Sequence, residues 1–228
     1  MKKGFQMHDL GSVSVYLGMN IERNQEHHTI DIHLHSYIQT ILGKSRMDKC
    51  RSVATPMAMK LHKRKPDKEA CDPTIYQSMI GFLMYMITAT RPTISYAVGV
   101  LSRYNHDPSN EHMVALRRVF RYLNGMKGWR LRFREALGGA LGVDVDGALG
   151  SYVNSDYAGC LDDYKSTSGL VITFGGAVDW RSRKLNSTAQ STTDAEYYVF
   201  GVGSLSLTQI SHLLYELGIP TIPHMFSD

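Results

Sequence analysis

The sequence predicts an α+β protein in two parts, a mainly helical segment followed by a mixed sheet. Three observations carry that expectation. Between residues 74 and 125 apolar side chains recur at helical spacing between clear start and stop signals. After residue 150 come three strand-like runs, one helix and a last short strand. Between the two lies "EALGGALGVDVDGALGS" (135–151), a glycine-rich repeat of Ala-Leu-Gly that marks a change in composition and a boundary.

Taken in order, "SVSVYLG" (12–18) alternates as a strand does, and "HTIDIHLH" (28–35) does so more cleanly; together they suggest an N-terminal β-hairpin. In the second run Ile30, Ile32 and Leu34 share one face, and Thr29, Asp31, His33 and His35 share the other. That second face reads as the wet side of a half-buried hairpin, although His33 and His35 could also hold a metal. "SYIQTILGKSRM" has Ile38, Ile41 and Leu42 at helical spacing. Residues 51–74 read as a loop, with Pro56, Pro66 and Pro73 around a lysine-rich tract. "TIYQSMIGFLMYMITAT" (74–90) is a strongly apolar helix, expected to expose apolar area unless a partner surface covers it. "RPT" stops it, and "ISYAVGVLSRYN" begins another. In "DPSNEHMVALRRVFRYLNG" (107–125) Ser109 or Asn110 can cap a helix whose buried stripe is Val114, Leu116, Val119, Phe120 and Leu123.

Beyond the boundary, strands are expected over 151–155, 168–174 and 177–182, with a Gly175-Gly176 turn between the last two and Phe174 and Trp180 filling the sheet core. A helix starts near Thr192 with Ser191 and Asp194 as a capping box. Its predicted stripe is Ala195, Val199, Val202, Ile210, Leu213 and Leu217, weakened by Gly201 and Gly203 at about 1 kcal/mol each. Residues 221–228 form a short strand, with His224 facing outward. The division is therefore 1–134, a linker at 135–150, and 151–228.

With 43% hydrophobic and 20% charged residues among 228, the chain has the composition of a folded globular protein. No stretch has the length and apolarity of a membrane span or a signal peptide. Cys50, Cys71 and Cys160 lack paired spacing and suit free thiols in a reducing compartment. The net charge is only +4, but the bases cluster at 61–68, along 117–134 and at 180–184. Arg117, Arg118 and Arg121 on a basic helix, with Arg181, Arg183 and Lys184, suit a polyanion such as nucleic acid; a solvated basic face is the plain alternative.

Acidic residues recur at the end of the first strand after the boundary (154–156), in the first turn of the helix (Asp194, Glu196) and at Asp228. Carboxylates gathered from separate elements suit a hard divalent cation. "SYVNSDYAGCLDDYKSTSG" (151–169), however, carries an amide, Asn154, at the strand tip.

"KSTSG", "QSTTDAEYY" and "HLLYELGIP" resemble the ribonuclease H domain of copia-class LTR retrotransposon Pol polyproteins. "MHDLGSVSVYLGM", "YIQTILGKSRMDKC", "VATPM", "YQSMIGFLMYMITATRPTISYAVGVLSRY" and "HMVALRRVFRYL" resemble the segment between that family's polymerase palm and its ribonuclease H domain. The resemblance implies that 1–134 is the C-terminal part of a reverse transcriptase, thumb- or connection-like. It also implies that 151–228 is a ribonuclease H-like mixed sheet, truncated after its fourth strand. The implied reaction is Mg²⁺- or Mn²⁺-dependent hydrolysis of the RNA strand of RNA–DNA hybrids. Implied partners are the hybrid and the rest of the polyprotein, in the cytoplasm, a virus-like particle or the nucleus. Laid on the family's motifs, the metal-binding positions are Asn154, Glu196 and Asp228, with Asp156 as a further catalytic candidate. The family has Asp where this chain has Asn154, so hydrolysis is expected to be weak or lost. A rival reading is a non-catalytic nucleic-acid-binding module. Asp146 in "VDVDGA", Asp162 and Asp163 in "CLDDY" (read as solvated turn residues) and "KSTSG" as a phosphate loop are decoys in this register.

Overall fold

A computed structural model describes residues 11–58, 60–134 and 148–227. Among them the chain is α+β, with two four-stranded sheets and five α-helices.

The first sheet has the order β1-β2-β3-β4 and is antiparallel throughout. Strand β1 is only Val15–Tyr16, shorter than the run 12–18 predicted, because Leu17 and Gly18 turn the chain with positive φ. The hairpin that forms is β2 (Met19–Asn24) with β3 (Thr29–His33), and β2 was not foreseen. The fourth strand, β4 (Leu131–Arg134), arrives from about a hundred residues later and pairs with β3. It lies in the basic run 117–134, beyond Gly125, where the helix predicted over 107–125 does end. Addition of β4 also overturns the wet face of β3, since Asp31 is buried and held by both nitrogens of the Arg132 fork at 2.7 and 2.8 Å.

The helical body consists of α1 (His35–Lys44), α2 (Pro73–Ala89), α3 (Ser95–Leu101) and α4 (Asn110–Gly125), with short 3₁₀ turns at 92–94 and 102–104. Asp72 caps α2 through Thr74 N at 2.8 Å, and Pro73 occupies the first turn, where its missing N–H costs nothing. On one side α2 buries Tyr76, Met79, Ile80, Leu83 and Met86 among α3 and α4, while Ile75 and Met84 leave part of its apolar surface exposed, as expected. Ser109 caps α4, and His112 closes the box by accepting Ser109 N at Nδ1. The buried stripe of α4 is Met113, Leu116, Val119, Phe120 and Leu123; Val114 points to solvent, one position off the predicted phase.

The second sheet comprises β5 (Gly150–Ser155), β6 (Thr167–Thr173), β7 (Ala177–Lys184) and β8 (His224–Ser227), in the order β7-β6-β5-β8. The first three are antiparallel to one another, and β8 lies parallel to β5. The long helix α5 (Thr192–Glu216) makes the crossover. Ser191 Oγ caps it through Asp194 N at 3.0 Å, but the Asp194 carboxylate reaches Gln190 N rather than closing a box on Ser191. It buries Ala195, Val199, Gly203, Ser206, Leu207 and Leu214. Leu213 and Leu217, predicted inside, are exposed: Leu213 lies off the stripe that Leu207, Ile210 and Leu214 form, and Leu217 stands past the last helical residue, Glu216. Gly203 is required rather than a defect: a Cβ there would stand 2.7 Å from Val153 Cγ1, whereas Gly201 faces open space.

Several hydrogen bonds join the halves. Trp180, expected in the sheet core, sits on the opposite face and donates Nε1–H to Ile87 O at 2.6 Å. Asp162 is no solvated turn residue, for its carboxylate accepts Lys63 N at 2.8 Å and Tyr104 OH at 3.2 Å. Arg103 donates to Thr167 Oγ1 at 3.4 Å. Finally, Arg134 N donates to Gly175 O at 2.8 Å, which seats the β6–β7 turn against β4.

Candidate functional site

Side chains alternate along β5, so its two faces separate cleanly. Ser151 and Val153 pack under α5, while Tyr152 and Asn154 face away from it. On that far side Tyr152 stacks on Phe226 of β8, with ring centroids 5.1 Å apart. Between this face and α3 lies a groove of about 690 Å³. Tyr96, Tyr152, Trp180 and Phe226 give it aromatic walls, and Asn154 and Asp156 bring polar groups to one end.

The candidate metal-binding positions fall as follows. Asn154 is exposed at the tip of β5 and lines the groove. Asp156 also lines it, but its Oδ1 accepts the backbone N–H of Thr167, and its carboxylate packs over Gly159, where no side chain would fit. Glu196 is exposed in the first turns of α5. That helix runs against β5: Gly203 lies over Ser151 and Val153, and Tyr157 OH, just past the strand tip, reaches Gln190 O at 3.5 Å. The start of α5 therefore comes to the same end of the sheet as Asn154, while Asn154 and Asp156 turn to the face away from the helix. Strand β8 ends there too, with Ser227 opposite Val153. Asp228 and the decoy Asp146 lie outside the described residues. Among the described residues no group of three or more His, Cys, Asp or Glu could hold a metal ion. Among the described residues the donors at this strand tip are a poor fit for Mg²⁺ or Mn²⁺: Asn154 offers one neutral oxygen beside an NH₂ donor, and one oxygen of Asp156 already accepts Thr167 N.

Most of the predicted basic contacts are occupied within the chain. Arg118 donates to Thr55 O and Oγ1 at 3.1 and 2.9 Å, and Arg121 to Arg51 O at 2.8 Å, pinning the 51–55 segment. Arg181 pairs with Asp179 at 2.9 Å. Lys184 pairs with Asp163 at 2.7 Å, which corrects the view of Asp163 as merely solvated and holds its carboxyl well below the usual range. Arg117 and Arg183 are exposed.

Sequence reasoning missed two buried groups. Arg91, in the "RPT" stop, is inside the helical body and donates to Met126 O at 3.1 Å; burial lowers its pKa. Tyr104 stacks face to face on His112, with centroids 4.0 Å apart, and its phenol is raised by burial and by Asp162. Periodicity gave no sign of either, because both depend on loops distant in sequence.

The relatives of the chain agree in kind. A family model described as reverse transcriptase (RNA-dependent DNA polymerase) matches residues 1–59. The Pol polyprotein from transposon TNT 1-94 of Nicotiana tabacum is 35% identical over 96% of this chain. Those from transposons RE1 and RE2 of Arabidopsis thaliana are each 34% identical over 96%. The chain belongs to the copia-type retrotransposon Pol polyproteins. It spans 16% of the tobacco relative and 14% of each Arabidopsis one. No solved structure matches it.

Proposed function

We propose that residues 151–228 are a ribonuclease H-like domain, joined to the end of the polymerase segment, that engages RNA–DNA hybrid but hydrolyses it weakly or not at all. The observation that carries this reading is the order β7-β6-β5-β8, with β8 parallel to β5 and α5 crossing between them. This topology brings a strand tip, a helix start and the end of β8 to one end of the sheet, where the family's carboxylates would be gathered. The first of those positions is Asn154.

Divalent-cation chemistry would require charged oxygens at that end, and loss of one weakens a stabilisation worth several kcal/mol. The reading is tested with labelled hybrid in Mg²⁺ and in Mn²⁺. The chain should bind without cleaving. Asn154→Asp, made in a chimera carrying the downstream continuation of the tobacco relative, should gain metal-dependent cleavage. Cleavage by the unmodified chain, or a chimera that stays inert with either residue, would overturn it. A non-catalytic binding module is the second reading, favoured by the engagement of Asp156 with Thr167 N; persistent binding with an inert chimera would select it.

A further inference from the structure

The basic residues that sequence reasoning assigned to phosphate binding are mostly engaged by the chain itself, which raises the question of where a polyanion would dock. The first sheet answers it. One end of that sheet forms a concave site of about 620 Å³ with an entirely polar lining. Four arginines, Arg23, Arg130, Arg132 and Arg134, surround it, with His27 at the hairpin turn. Among the described residues two carboxylates, Glu22 and Asp31, stand among them.

The two acids order the arginines rather than cancel them. Asp31 is buried and grips the Arg132 fork, and its carboxyl is lowered chiefly by that pair. Glu22 accepts His33 Nε2 at 2.9 Å and Arg130, and both lower its pKa. Among the described residues four guanidinium groups thus face two carboxylates, at a site whose geometry is set by a strand ladder. Guanidinium groups present planar, forked donors suited to phosphate oxygens.

We propose that this face of the first sheet, around Arg23, Arg130 and Arg134, is a phosphate-backbone binding surface for nucleic acid. The absence of any apolar side chain in its lining argues against a lipid surface. This rests on the reading that the chain engages hybrid, and moves its principal electrostatic contact away from α4 and β7.

The test is fluorescence anisotropy of a labelled RNA–DNA hybrid with the full chain, titrated at several salt concentrations. Each phosphate contact adds about 0.9 to the slope of log K against log salt. Arg23→Gln with Arg130→Gln should lower that slope by nearly two and weaken binding at low salt by roughly tenfold or more. Arg117→Gln with Arg183→Gln should leave both unchanged. Arg23→Lys with Arg130→Lys should restore most of the slope, which separates lost charge from lost fold. If the wild-type chain binds with a steep slope but the sheet variants match it, this surface is wrong and the hybrid reading survives. If the wild-type chain shows no salt-dependent binding, or prefers anionic vesicles to hybrid, both fall.

Discussion

The two halves of the molecule treat their most apolar helix in opposite ways. In the helical body α2 is covered over most of its apolar surface: Tyr76, Leu83 and Met86 have no exposed surface, and Ile75 and Met84 are its exposed large apolar residues. In the second half α5 rests on one sheet only. Its first turns bury Ala195 and Val199, yet Leu205, Leu213 and Leu217 remain 69%, 56% and 66% exposed. A helix surrounded by helices can be apolar all round, whereas a helix on a sheet buries one stripe. The first half surrounds its core with helices; the second leaves one face of α5 bare, opposite the stripe of Leu207, Ile210 and Leu214 that packs on the sheet.

The largest test of that contrast is Phe120→Ala. Phe120 is fully buried in the helical core, and truncating a buried Phe costs about 3–5 kcal/mol through lost transfer energy and the cavity left behind. Urea unfolding should show that loss, whereas Leu213→Ala should stay within about 0.5 kcal/mol. Equal losses would mean that α5 is as enclosed at Leu213 as the helical core is around Phe120.

A finer test uses two glycines of α5. Gly203→Val forces a side chain against Val153 and should cost about 1–3 kcal/mol. Gly201→Ala, in open space, should stabilise by up to about 1 kcal/mol through helix propensity. Thermal midpoints moving in the same direction would show that the packing of α5 on β5 is not tight at Gly203.

The smallest effect is a pH dependence confined to the helical half. His112 is buried; its Nε2–H donates to His62 O at 2.7 Å and its Nδ1 accepts Ser109 N at 2.9 Å. Burial pushes its pKa down, and the bond to His62 opposes this less strongly. The unfolded chain therefore takes up a proton near the ordinary value of about 6.5, while the folded chain resists. More protons are bound unfolded than folded in that window, so stability is full above it and falls as pH drops below it. His112→Gln should flatten this part of the stability curve; an unchanged acid limb would remove His112 as its cause.

The sequence showed local events well. The start of α4 was legible because Ser109 and the apolar stripe lie within a few residues of each other, and the order of elements from β5 to β8 followed from alternation and turns. Events closing over long distances were not legible. Arg132 and Phe133 looked like the tail of a basic run until β3 was there to pair with them. Asp31 looked wet because the strand that covers it comes so much later. At the candidate site the place of Asn154 on a strand tip could be read, but the sheet face it occupies could not. Nor could the bond between Asp156 and Thr167, which needs β6 alongside β5.

The Gly175-Gly176 turn sits against the backbone of Arg132 and Arg134, and neither position leaves room for a side chain. It acts as a rivet between the two sheets. A bulkier residue at that spot would push the turn off β4 and open the seam at its edge, leaving Trp180 on Ile87 O and Asp162 on Lys63 and Tyr104 to hold the halves together.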